Sequence, residues 1–419
     1  VQRLGRLLAV VLGLCLIPRF AQADEARVVR LADALERASA VGPGVAVASA
    51  GNSALSAARD AAGQRLPSPP NVTLAAGPRI GASGTSLDLQ VGVYVPLSIR
   101  DLRGARTRSV ETMRQGTHAD VERARSDAGL RAALAWAHAL EAREILAVRQ
   151  ATLERAEELV TLAKRRVSSG VARPSELAMA SGDRAFASAS VLDAEGAEVD
   201  ALVELRVAIG AAPGEKLRLD GDLSLELPEA HARARAWAAE NLGHNPALKA
   251  AQARASTARA EVVLAHASSG PTLSVGAMFA REGDGSSIVL GALSLPVPIL
   301  DAAAFDRARA DAIARTIEAD GARLKAELAA RLSLTVHDME HTREVRERLE
   351  KEAVPMLREA LRLSLAEVSA GTSDVGPALL ARQRLLAAEE GVTHARGEVL
   401  RADLRFLHVT GRLLPEARR

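Results

Sequence analysis

Two histidines four residues apart, in His337-Asp338-Met339-Glu340-His341, form the one stretch of the sequence with metal-ligand spacing, because residues at that interval share a helix face. A zinc protease of this pattern needs a glutamate directly after the first histidine as its base. Asp338 stands there instead, so the metalloprotease reading fails at the position of its general base. What remains for His337 and His341 is a polar helix face or, as a weaker candidate, a metal site or a transient contact with a cation. Other histidines, such as His138, His244 and His394, lie scattered along the chain. There is no glycine-rich phosphate loop, nucleophile elbow or paired catalytic carboxylate, so the sequence predicts neither an enzyme nor a cofactor. The glycines fall at turns and helix ends, where backbone freedom is needed.

The most informative turns are two near copies, Arg166-Val167-Ser168-Ser169-Gly170-Val171 and Glu367-Val368-Ser369-Ala370-Gly371-Thr372. Each interrupts a long Ala/Leu/Glu/Arg-rich helical pattern and leads straight into another, which predicts the tips of two helical hairpins. Gly170 and Gly371 are 201 residues apart, as are Gly210 and Gly411, and Pro70 and Pro271; Pro96 and Pro296 are 200 apart. Landmarks that keep one interval over so much chain mark a duplicated unit. The acids Glu176, Asp183 and Asp374 stand near the tips, where an oligomer would repeat each as a ring.

Within the first unit, residues 27–66 are patterned as helix and stopped by Pro67, Pro69 and Pro70. The period then changes to two, predicting strands at about 71–80 and 87–97. Leu87, Leu89, Val91, Val93, Val95 and Leu97 occupy one face of the second, with Asp88, Gln90, Gly92 and Tyr94 on the other. Ten residues suffice to cross a bilayer core as a tilted strand. From 102 to 166 there is no proline, and Leu146, Leu153, Val160 and Val167 recur at heptad distance beside Ala142, Ala156 and Ala163. At roughly 1.5 Å per residue this helix reaches about 100 Å. A return helix restarts at Pro174 and runs through Leu177, Leu192, Val199 and Leu205 to Gly210. The second unit repeats the order: a helix from Asn245-Pro246, strands at about 272–280 and 288–297, a long helix with Pro355 inside it, the tip at Gly371 and a return helix to Gly411. Its fourth strand is apolar on both faces.

With 419 residues, 2% aromatics and a net charge of +2, the composition suits elongated helices and argues against a phosphate binder. Arg3 and Arg6, an apolar run from Leu7 to Ile17 and Ala21-Gln22-Ala23 read as an export signal over residues 1–23. The single cysteine, Cys15, lies within it. The predicted organisation is therefore repeat 1 at 24–210, a connector at 211–240, repeat 2 at 241–413 and a tail at 414–419. Four strands per chain cannot close a barrel in lipid, where an open edge leaves unpaired backbone groups at a cost of several kcal/mol each. Copies must pool strands, eight from two chains or twelve from three.

This layout resembles the TolC family of outer-membrane efflux channel proteins. The resemblance is carried most specifically by Asn245-Pro246-Ala247-Leu248-Lys249-Ala250-Ala251, by Leu293-Ser294-Leu295-Pro296-Val297-Pro298-Ile299-Leu300-Asp301, and by Val368-Ser369-Ala370-Gly371-Thr372 with Leu379-Leu380-Ala381-Arg382-Gln383-Arg384-Leu385-Leu386. It is nearest to the branch serving pumps for metal cations or small organic compounds. The family implies an α+β membrane protein, a homotrimer with a shared twelve-strand β-barrel in the outer membrane and a periplasmic α-barrel of long helical hairpins. The channel is passive and works in a tripartite system with a periplasmic adaptor and an inner-membrane pump. On that reading Val72, Leu74, Leu89, Val91, Val93 and Val95 face lipid, while Arg79, Asp88 and Gln90 face the lumen. Arg166, Val167, Gly170, Val171, Val368, Gly371 and Thr372 would dock the adaptor. Family members that close their tips with aspartate rings differ here, since Pro377 and Leu380 stand at the comparable positions. Two rival classes share some of these features. A periplasmic adaptor would show one hairpin flanked by small β-domains, and a coiled-coil scaffold would leave the alternating strands unexplained.

Overall fold

The computed structural model describes residues 26–81, 84–224, 242–296 and 303–414. The export signal, the short helix expected around 230–239 and the C-terminal tail lie outside these residues, apart from Leu414. The first unit opens with β1 (Arg27–Val29), α1 (Leu31–Val41), α2 (Pro43–Ser49) and α3 (Asn52–Ala62). A single helical pattern over 27–66 is thus divided. Pro43 is accommodated at the start of α2, where its missing N–H is not needed, with Gly42 as the joint. β1 pairs in parallel with a second three-residue strand, Leu217–Leu219, a partner 190 residues away that no local pattern announces.

Next come β2 (Asn71–Gly81), β3 (Gly84–Ser98), α4 (Leu102–Ser168) and α5 (Pro174–Ala208); the Leu217–Leu219 strand is β4. The second unit supplies α6 (Pro246–Ser268), β5 (Thr272–Arg281), β6 (Ser287–Ser294), α7 (Ala304–Arg348), α8 (Val354–Ala370) and α9 (Gly376–Val409). Between α7 and α8 the helix continues as one π-helical stretch, Leu349–Ala353. Pro355 accounts for it: proline offers no N–H to the preceding turn and its ring crowds the carbonyl four residues back, so the helix widens just upstream.

Why α4 and α5 lie together is written in small residues. Ala180, Ala187, Ala194 and Ala201 recur every seventh position of α5 and are all buried, facing a seam of α4 that includes Ala156, Leu159 and Ala163. Seven-residue spacing keeps one face turned to the partner over the whole length, and alanine lets the backbones come close. The leucine and valine row at 146, 153, 160 and 167 is only half-buried at the rim of this seam, and Leu192 and Val199 of α5 are exposed. The heptad reading is therefore right in period and shifted in face. In the second hairpin the seam is bulkier, with Val354, Leu361 and Val368 on α8 and Ala378, Leu385, Val392, Val399 and Phe406 on α9 buried.

The main core forms midway along the helices. Trp136 is fully enclosed and its indole N–H donates to the Val29 carbonyl at 3.1 Å, fastening β1 onto α4. Glu215 closes the same layer by accepting from Arg37 of α1 at 3.0 and 3.1 Å. The hydrogen bond from Arg37, against a smaller opposing effect of burial, holds the Glu215 carboxyl below its ordinary value, helped by the Ala212 N–H and the charges of Arg37 and Arg27.

Candidate functional site

The two units merge their strands into one antiparallel sheet ordered β2-β3-β5-β6. Its register fixes two faces, because residues directly opposite share a side. Val72 pairs with Val93 and Leu74 with Val91; Val91 in turn pairs with Phe279 and Val95 with Val275. Together with Leu89 and Leu97 these residues make one continuous apolar face. Val72, Leu74, Leu89, Val91, Val93 and Phe279 are exposed, and Val95 is half-buried. The opposite face carries Asn71, Thr73, Arg79, Ser86, Asp88, Gln90 and Tyr94. Tyr94 lies over Gly92 and Gly276, where a Cβ would come within 2.8 and 2.7 Å of its ring. Near the β2–β3 turn, Arg79 bridges Asp88 at 3.1 Å and Glu282 at 2.7 Å, and Asp88 also accepts from the Gly283 N–H at 2.8 Å.

Both outer strands, β2 and β6, present an open edge. The first hairpin turns more tightly than the sequence pattern suggests: Thr85 pairs with Ile80 and Gly84 with Gly81. Thr85 and Ser86 gave no apolar signal of strand. β6 ends at Ser294, short of the expected 297. The lack of alternation in β6 has a positional explanation, since Ile288 and Leu290 oppose Ala280 and Met278 and make an apolar corner on the otherwise polar face. Among the described residues no helix is long and apolar enough to cross a membrane.

At the far end of the helices the two tips have the same backbone. Gly170 and Gly371 adopt φ of 76° and 78°, a left-handed conformation that only glycine takes without strain. At the first tip the Val171 N–H reaches the Arg166 carbonyl and the Gly170 N–H that of Val167. At the second, Thr372 reaches Glu367 and Gly371 reaches Val368. Both are Schellman closures, which satisfy the orphan carbonyls of a helix end. Gly210 and Gly411 close the return helices in the same way.

The predicted tip residues then divide. Gly170, Val171, Gly371 and Thr372 are exposed, and Val167 is half-buried. Val368 is fully buried in a cluster with Leu159, Ala163, Ala180, Val375, Ala378 and Leu379, so its side chain is not a contact surface. Arg166 also turns inward: its guanidinium donates to the carbonyls of Val368 and, at 2.9 Å, of Ser373, and faces Glu176 at 3.7 Å. It ties one tip to the other. Two of the three acids expected to line a ring are likewise engaged within the chain, because each has a cation beside it. Glu176 faces Arg166, and Asp183 is paired with Arg382 of α9, the two side chains being 7% and 4% exposed. Asp374 alone is exposed, accepting from the Gly376 N–H at 2.9 Å. The Asp183–Arg382 pair escaped sequence reading because its partners are 199 residues apart.

His337 and His341 lie on the exposed side of α7, rings stacked with centroids 6.0 Å apart and planes within 10°. No group of three or more metal-ligating side chains occurs among the described residues.

Two tandem units, each a strand pair and a long helical hairpin, with their four strands fused into one sheet, define the class of protomer. Residues 237–412 match the family described as outer membrane efflux protein. Solved structures share the whole fold. The outer membrane protein VceC of Vibrio cholerae is 17% identical with a TM-score of 0.72, over 91% of this chain and 96% of that one. A membrane protein from Pseudomonas aeruginosa is 18% identical with a TM-score of 0.74, over 91% and 90%. The open state of the MtrE outer membrane channel of Neisseria gonorrhoeae is 19% identical with a TM-score of 0.69, over 92% and 89%. The TolC-family resemblance read from the sequence is borne out by these matches. No curated protein matches the sequence.

Proposed function

We propose that the chain is the outer-membrane channel component of a tripartite efflux system, a passive homotrimeric duct for small toxic compounds or metal cations. The observation that carries this is the four-stranded sheet, which is apolar and exposed on one face and open at both edges. In water such a face and such edges are both unfavourable. In a bilayer the face is solvated by lipid, and the edges are satisfied when β6 of one copy pairs with β2 of the next. The exposed face of α5, with Phe186, Leu192, Val199 and Val207, lies opposite its alanine seam and supplies a second surface for a neighbouring copy. Three copies give twelve strands, with Arg79, Asp88 and Gln90 lining the lumen and the hairpins extending into the periplasm. The exposed tips at Gly170, Val171, Gly371 and Thr372 dock the adaptor, and docking shifts the tips from closed to open. The pump supplies the energy, so the channel needs no catalytic residue.

Cysteine cross-linking tests the assembly. Ala292→Cys on β6 combined in turn with Thr73→Cys, Ala75→Cys and Gly77→Cys on β2 should give, for one register, a ladder ending at three chains in outer-membrane fractions. A ladder ending at two chains, or no product with the protein recovered in the soluble fraction, overturns the trimeric barrel. Replacing Gly170 or Gly371 with Trp should abolish export while the three-chain product persists; normal export in both variants removes the docking role.

A further inference from the structure

The buried face of α7 is set by Leu328, Leu332, Thr335, Val336 and Met339. That face fixes the rotation of the helix and turns His337 and His341 outward together. Their imidazoles sit one above the other, centroids 6.0 Å apart, at the separation that residues four apart on a helix impose. Three other histidines have a carboxylate on one ring nitrogen: His138 with Glu204, His394 with Glu141 and His408 with Asp127. Neither ring of the α7 pair takes part in a hydrogen bond or ion pair among the described residues. The carboxylate one turn further on, Glu344, is held by Arg348 at 2.6 Å.

We propose that His337 and His341 form a two-nitrogen chelate for a borderline divalent transition cation, Zn2+, Ni2+ or Cu2+, with water completing its coordination. Imidazole is a preferred ligand for these ions and a poor one for Mg2+ or Ca2+. Bonds of about 2.0–2.1 Å from each nitrogen bring the two ring edges together around the ion. The soft terminal torsion of histidine allows this from the stacked arrangement without moving the helix. Once one nitrogen is bound, the second is already at high local concentration, which makes the pair a far better ligand than either ring alone. The site stands whether or not the tips dock an adaptor, because it lies about thirty residues from the Gly371 tip.

Isothermal titration of the untagged full chain in detergent with NiCl2 and with ZnCl2 tests it. The unaltered protein should bind one cation per chain, and His337→Ala or His341→Ala should each weaken binding roughly 100-fold. His138→Ala should leave the isotherm unchanged. Circular dichroism should show the same helix content in all variants, since the substituted side chains are exposed. With Cu2+, electron paramagnetic resonance should report two bound nitrogens, lost in the double variant. Identical isotherms for the unaltered protein and the double variant, or no saturable binding to either, overturn the proposal.

Discussion

The two hairpins share a backbone and differ in what fills and surrounds it. Their tips have matching glycine conformations and identical closures, yet one seam is lined by alanine and the other by valine, leucine and phenylalanine. α4 is unbroken, whereas its counterpart carries a π-helical stretch before Pro355. Charge has diverged as well: residues 163–180 hold four cations and one anion, and the equivalent residues 364–381 hold two anions and no cation. The duplication has preserved what backbone geometry demands at the turns. Seam volume and surface charge, which several residue choices satisfy, were free to drift.

The strongest way to break this comparison is at the point where the hairpins are joined. The side chains of Asp183 and Arg382 are nearly enclosed, and Asp183 Oδ2 and Arg382 Nε and Nη1 lack hydrogen-bond partners among the described residues. Asp183→Leu or Arg382→Leu alone should destabilise the tip by about 3–5 kcal/mol, by stranding one charge. The double replacement should cost far less. Hydrogen exchange around 175–185 and 378–388 reports the difference; single variants that exchange like the unaltered protein would show that the pair does not join the hairpins.

The next effect is smaller and separates equivalent positions. Val368→Ala removes buried volume and should cost about 2 kcal/mol, whereas Val167→Ala at the half-buried counterpart should cost less than about 1 kcal/mol. Equal losses in tip protection would mean that the two valines are packed alike. Gly170→Ala and Gly371→Ala, by contrast, should cost the same, about 1–2 kcal/mol each, because the left-handed conformation penalises a Cβ equally at both. A clear inequality between them would break the backbone equivalence.

The smallest effect concerns pH and the first unit alone. The folded Glu215 carboxyl titrates below its ordinary value. Its contribution is therefore complete above the unfolded value, about 4.3, and is lost as pH falls through the lower folded value. Being a partly exposed ion pair, it should contribute no more than about 1 kcal/mol. Protection of the amides in Arg27–Val29, measured against the unstructured-chain exchange rate at the same pH, should fall on acidification below about pH 4, and Glu215→Gln should remove that dependence. Protection that is insensitive to both would leave Glu215 without a role in closing the layer.

Much of this architecture was legible in the residues. Period two marked three of the four strands to within a few residues, an apolar run after a Gly-rich turn marked the fourth, and the 201-residue interval between Gly170 and Gly371 marked both tips. Contacts across long separations were not. β1 and β4 are each three residues long, too short for a pattern, and gain stability only from each other. Arg166 read as a surface cation because nothing in its neighbourhood says that the carbonyls of Val368 and Ser373 will converge on it. Val368 read as an exposed contact for the same reason.

The amino-acid order by itself determined the elements, since periodicity, proline and glycine act on the chain within a few residues of where they stand. Which of two adjacent heptad faces became the α4–α5 seam, which tip side chains turned inward and which acids found arginines were decided only by the tertiary structure. Those outcomes depend on packing and charge pairing between segments some two hundred residues apart, and no local signal encodes them.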